Sequence, residues 1–210
     1  IAGCIGAIYQ KDLKQIVIFN IVISLGVMVC GTATLNTFGV KGALLYAVND
    51  ILLKAAVVIV VGLIIYVSGV KYLQKCGLIN KYPLLGWIYF IIVLSLAGVP
   101  PFSGFYGKAL IIKGLVTNNN TFIAILVALS GLVVFYSLIR IFLNVFYDNI
   151  NKSLILKPLP KGVQIPLIAI VAIALIIGVS SNLLDGFFDK GIQMVLNPQH
   201  YIDLVLKKGA

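Results

Sequence analysis

Hydrophobic residues occupy this chain in long unbroken blocks, and the polar residues are confined to short connections between them. A membrane-spanning helix needs roughly 20 apolar residues to cross a hydrocarbon core of about 30 Å. Blocks at 16–35, 42–67, 84–116, 122–147 and 163–183 reach that length, and a shorter apolar stub covers 1–9. The connections are 10–15, the turn 36–41, 71–82, the tight turn 117–120 and 148–161. The tail 184–210 holds too few apolar residues to span, and its pattern predicts amphipathic surface helices. The whole predicts an all-α polytopic transmembrane bundle of about five complete spans plus an N-terminal helix stub. No soluble sub-domain, strand pattern, low-complexity segment or internal repeat interrupts it. The chain is apolar from Ile1 without a charged segment before it, which argues against a signal peptide. That start predicts the C-terminal piece of a longer subunit.

Composition agrees. Hydrophobic residues make up 61% of the 210 and charged residues only 10%, where a soluble domain carries about 25%. Mean hydropathy is +1.11. The net charge of +10 does not signal nucleic acid, because most of the lysines sit in the short connections. Lys11, Lys14, Lys71, Lys75, Lys81, Lys152, Lys157 and Lys161 fall on one side of the predicted topology. Lys41 and Lys113 fall on the other. Positive charge resists translocation, so the lysine-rich connections are expected in the cytoplasm of a cell-membrane protein, with the C-terminus outside. Cys4, Cys30 and Cys76 have no metal-ligand spacing and read as packing residues. His200 has no second ligand near it in sequence, so no metal site is expected.

Two charges stand where hydrocarbon should be. Lys54 lies fourteen residues from both Val40 and Ser68, about 21 Å at the helical rise, beyond the reach of a lysine stem. A lysine at mid-membrane costs about 2.5–3.5 kcal/mol on insertion scales, so its presence points to use. Tyr46, Asp50 and Lys54 are spaced by four and share one helix face, with Asp50 on the favourable N-terminal side. A lysine held between a carboxylate and apolar surroundings can both keep and give up a proton, the requirement for a relay.

The second charge is Lys108. Block 84–116 has 33 residues, roughly 50 Å as a straight helix, too long for a 30 Å core. Pro100 and Pro101 lack N–H donors and push Val99 away from α geometry, while Gly98, Gly104 and Gly107 admit the conformations that remain. A discontinuous span is predicted, unwound within 98–107 and carrying Lys108 directly after the break. Non-helical backbone at this depth survives only inside protein or beside a hydrated cavity, and transporters place such breaks at ion sites. Lys113 is expected at the interface and Arg140 to snorkel. Asn20, Ser24 and Ser95 are expected to join helices by hydrogen bonds.

The stretches "GAIYQKDLKQIVIFNIVISLG", "LLYAVNDILLKAAVVIVVG" and "AGVPPFSGFYGK", in that order, resemble the proton-translocating membrane subunits shared by respiratory NADH:quinone oxidoreductase and Mrp-type cation/proton antiporters. With "KYPLLGW", "VVFYSLIRIF" and "NPQHYIDLVL", the set is most similar to the D-type branch of the Mrp antiporter subunits. The resemblance implies a subunit about twice this length with two inverted repeats of five helices. Residues 1–147 would match the second repeat, and 148–210 would be a loop, a last transmembrane helix and the amphipathic tail. By resemblance Lys54 is the lysine of the continuous helix and Lys108 that of the broken one. The family commonly has histidine where this chain has Asn49, beside Asp50. Asparagine can hydrogen-bond and hold water but cannot titrate. The family's glutamate belongs to the first repeat, and this chain contains no glutamate.

The implied function is transport: a subunit of a multisubunit Na⁺ or K⁺/proton antiporter, working with other membrane subunits and without a cofactor. The alternative is a proton-pumping subunit of NADH:quinone oxidoreductase or a membrane-bound hydrogenase. An inert scaffold fits poorly with two mid-membrane lysines.

Overall fold

A computed structural model of the chain describes residues 1–100, 102–147, 156–160 and 162–179. The described residues are helical, joined by short connections: α1 (Ala2–Tyr9), α2 (Leu13–Thr32), α3 (Thr37–Ser68), α4 (Pro83–Ala97), α5 (Ser103–Thr117), α6 (Thr121–Ile141) and α7 (Gln164–Val179). By length and composition three helices can cross a membrane: Leu13–Thr32, Thr37–Ser68 and Thr121–Tyr147. Pro83–Ala97 and Gln164–Ile177 are shorter apolar helices. The chain is therefore an integral membrane helical bundle. Block 84–116 divides into α4 and α5, each of 15 residues. The tail 184–210, with His200, and Pro101, Lys152 and Lys161 lie outside the described residues.

Helix starts follow local chemistry. Asp12 caps α2, its carboxylate accepting from the N–H groups of Lys14 (2.8 Å) and Gln15 (3.3 Å). Asn36 caps α3 by accepting from the Gly39 N–H at 2.7 Å. That cap corrects the expected turn at 36–41: α3 already begins at Thr37, so Lys41 is helical and Lys54 sits deeper from that end than block 42–67 implied. Beyond Ile141, α6 widens into a π-helical turn, Phe142–Tyr147, where the Asn144 side chain donates to the Arg140 carbonyl at 2.8 Å.

The lysine-rich connections gather at one end of the bundle. The Leu13 N–H donates to the Lys71 carbonyl and the Leu73 N–H to the Lys11 carbonyl, at 2.9 and 2.8 Å. The Tyr82 hydroxyl donates to the Lys157 carbonyl at 2.9 Å. At the opposite end the Asn36 amide donates to Gly114 O, Thr117 Oγ1 and Asn118 Oδ1 (2.7, 3.0 and 3.1 Å), tying the start of α3 to the end of α5. Lys113 lies there, its ammonium 3.9 Å from the centre of the Phe38 ring. Arg140, expected to snorkel, is part-exposed and donates to the carbonyls of Ile8 and Gln10. A cation there meets the negative end of the α1 dipole, a favourable placement.

Between the ends, α3 and α5 pack almost backbone to backbone. A Cβ at Gly42 would lie 2.7 Å from the Ile111 nitrogen, and one at Gly114 would lie 2.6 Å from the Gly39 nitrogen. Small residues permit this approach where lipid supplies no hydrophobic drive. Gly104 and Gly107, expected to relax the break, are both helical and serve the packing instead. A Cβ at Gly104 would overlap the Ser95 carbonyl, and one at Gly107 would lie 2.9 Å from the Cα, Cβ and N of Tyr46. Two apolar clusters result. The larger joins α1, α2, α3, α4, α6 and α7; the smaller joins Val27, Ala43, Tyr46, Ile111, Leu115, Ala124 and Val127.

Candidate functional site

The break between α4 and α5 is a helix terminus turned inward. An α-helix leaves its last four carbonyls without partners. In α4 these belong to Leu94, Ser95, Leu96 and Ala97. Gly98 closes the helix with φ +81°, a left-handed conformation that costs glycine little. Its N–H donates to the Ser95 carbonyl at 3.2 Å and the Val99 N–H to the Leu94 carbonyl at 3.1 Å, a complete Schellman motif. The Leu96 and Ala97 carbonyls take the Lys108 ammonium, at 3.0 and 2.9 Å. Lys108 is only 6% exposed. It reaches back from α5 to complete the end of α4, at the negative pole of that helix. Pro100 lies in the turn that follows.

On α3 the pair read from the sequence is formed. Lys54 Nζ is 2.8 Å from Asp50 Oδ2, with both side chains buried. The ammonium also donates to the Asn20 backbone carbonyl at 3.0 Å. The other carboxylate oxygen, Asp50 Oδ1, accepts from Ser24 Oγ at 2.9 Å. The Tyr46 hydroxyl is 3.0 Å from Ser24 Oγ. Ser24 has one proton and spends it on Asp50, so Tyr46 is the donor to Ser24. Desolvated carboxylate and ammonium thus have two partners each, as burial of charge requires.

Asn49 is 3% exposed, and its side-chain oxygen has no hydrogen-bond partner among the described residues. A buried acceptor left this way calls for a donor, and water is the usual one. No group of three or more metal-ligating side chains occurs among the described residues.

The structure thus brings Asp50 and Lys54 together on α3 and sets Lys108 on the facing helix α5, with its ammonium 5.6 Å from the centre of the Tyr46 ring. The groups not anticipated at the site come from α2 and α4. By sequence, Ser24 and Asn20 are expected only as interhelical contacts. Asn20 does make such a contact, its amide donating to Ser137 Oγ at 3.0 Å. The available signal is their spacing of four, a polar stripe on an otherwise apolar helix.

The transmembrane family described as NADH:quinone oxidoreductase/Mrp antiporter matches residues 1–134. The D subunit of the Na⁺/H⁺ antiporter of Bacillus subtilis (strain 168) is 36% identical over 214 residues, covering 99% of this chain and 43% of that protein. The fold is that of a chain in the Mrp complex from Dietzia sp. DQ12-45-1b, with a TM-score of 0.91 and 20% identity over 98% of this chain and 47% of the other. A chain of respiratory complex I from Thermus thermophilus superposes with a TM-score of 0.76 at 21% identity, over 92% of this chain and 42% of the other. The chain spans under half the length of these relatives.

Proposed function

This chain belongs to the NADH:quinone oxidoreductase/Mrp antiporter transmembrane family, and on that premise we propose that it conducts protons within a multisubunit Na⁺ or K⁺/proton antiporter. The observation that carries the reading is a pair of buried lysines on two helices packed backbone to backbone: Lys54 held by Asp50 on α3, and Lys108 at the helix break on α5. Ammonium groups at such depth are costly, and a chain that keeps two of them points to their use in a pathway. In this reading a proton moves along the membrane plane between Lys108 and the Asp50–Lys54 pair. Asn49 holds a water through its orphaned oxygen rather than titrating. Residues 1–147 act as the second of two inverted repeats, the lysine-rich end faces the cytoplasm and the C-terminus lies outside. Other membrane subunits complete the cation pathway.

The test separates two roles of Lys108, capping α4 and exchanging a proton. Lys108→Ala removes both. Lys108→Arg keeps a cation that can bond the Leu96 and Ala97 carbonyls, yet guanidinium hardly ever deprotonates. The assay is collapse of a proton gradient on adding Na⁺ or K⁺ to everted vesicles, normalised to assembled complex. Both variants are expected to lose exchange. Wild-type exchange by the arginine variant would leave Lys108 as a cap alone.

The fold likeness to a complex I chain supports a second reading, a proton pump driven by a redox partner. Proton uptake that requires NADH and ignores Na⁺ and K⁺ would favour it.

A further inference from the structure

Tyr46 touches Lys108 directly and is linked to Lys54 through Ser24 and Asp50. Its ring carries the Lys108 ammonium at 5.6 Å from the centroid, within range of a cation–π interaction. Its hydroxyl bonds Ser24 Oγ at 3.0 Å, Ser24 donates to Asp50 Oδ1 at 2.9 Å, and Asp50 Oδ2 holds Lys54 at 2.8 Å. Among the described residues no hydrogen bond joins Lys108 to Asp50 or Lys54 directly. Tyr46 is 2% exposed. α5 can bring Lys108 onto the ring because Gly107 has no Cβ to collide with the Tyr46 backbone.

We propose that Tyr46 is the positioning residue that couples the two lysines, its ring face seating the Lys108 ammonium and its hydroxyl anchoring, through Ser24, the carboxylate that holds Lys54. The inference rests on the relay reading above. An ammonium on the ring face polarises the phenol O–H, and polarisation passes along a chain of hydrogen bonds where the surroundings are dry. Gain or loss of charge at Lys108, which acts on Asp50 through space, is then felt there along the bonded chain as well.

Four variants of the assembled complex, assayed in everted vesicles, test this against Lys108→Ala. Tyr46→Phe keeps the ring and removes the hydroxyl. Tyr46→Leu removes both. Ser24→Ala deletes one oxygen from the next link, and the fourth variant combines Tyr46→Phe with Ser24→Ala. Tyr46→Phe is expected to lower exchange turnover about tenfold with the KM for the cation unchanged, the effect of one hydrogen bond to a charged network. Tyr46→Leu should lose on the order of 100-fold, since the cation–π contact goes as well. Ser24→Ala should also lower turnover, and because the Tyr46 hydroxyl faces Asp50 directly as well as through Ser24, the double variant should lose less than the sum of the two single losses. Ser24→Ala and the double variant decide the matter if Tyr46→Leu fails to assemble. Wild-type turnover in the Tyr46 variants while Lys108→Ala is silent would overturn the inference and leave the relay standing. So would additive losses in the double variant, or a rise in KM at unchanged turnover. Full exchange by Lys108→Ala would remove the relay itself, and this inference with it.

Discussion

The contact of α5 with α3 at Gly107 gives the sharpest perturbation. A single methyl there would lie 2.9 Å from the Cα, Cβ and N of Tyr46, two of them main-chain atoms that cannot rotate away. Carbon atoms rest at about 3.5–4.0 Å, so Gly107→Ala requires α5 to retreat from α3 by roughly 0.6–1.1 Å. Lys108 travels with α5. Its bonds to the Leu96 and Ala97 carbonyls, now 3.0 and 2.9 Å, have little slack before they exceed hydrogen-bonding range. The packing penalty should be about 1–3 kcal/mol, enough to lower thermal stability without dismantling the bundle. Transfer between groups misplaced by about 1 Å falls on the order of 100-fold. Gly107→Ala is therefore expected to assemble, to melt a few degrees lower and to lose nearly all exchange. Gly62→Ala is the control, since a Cβ there meets nothing within 4 Å. Wild-type exchange in Gly107→Ala would mean that the distance between α3 and α5 does not govern transport.

Asp50→Asn leaves the Lys54 ammonium buried with the Asn20 carbonyl and no counter-charge, a loss of about 3–5 kcal/mol. Thermal unfolding of the purified complex should recover in Asp50→Asn/Lys54→Gln while exchange stays absent; equal stability of single and double variants would refute the pairing. Cysteine at Lys75 or Lys157, in a chain stripped of Cys4, Cys30 and Cys76, should resist an impermeant thiol reagent in intact cells. Labelling from outside would reverse the topology.

Much of this was legible in the sequence, for local reasons. Adjacent prolines after a glycine break a helix in any surroundings, and Asp50 and Lys54 at a spacing of four meet on any helix. The Asn36 cap was equally local, yet the apolar block from Gly42 masked it, since hydropathy reports lipid contact rather than helix boundaries. What stayed hidden depends on a second helix. Gly104 and Gly107 look like hinge residues until α4 and α3 are set against them. Ser24 looks like an ordinary interhelical serine until α2 is placed beside Asp50. Lys108 could be assigned to the break, but not to the two carbonyls that the Schellman motif leaves unpaired.

The length of α3 has one more consequence. Its apolar stretch 42–67 has 26 residues, about 39 Å of helix against a hydrocarbon core of about 30 Å. A stretch longer than the core is accommodated by tilting, by kinking or by local thickening of the bilayer, and packing against neighbouring helices sets the tilt. Because α5 is locked to α3 along Gly39, Gly42 and Gly107, the two tilt as one strut. Bilayer thickness then sets the depth of Lys54 and Lys108 together while their separation stays fixed, so hydrophobic mismatch changes how far each ammonium lies from either surface and leaves the distance between the two unaltered.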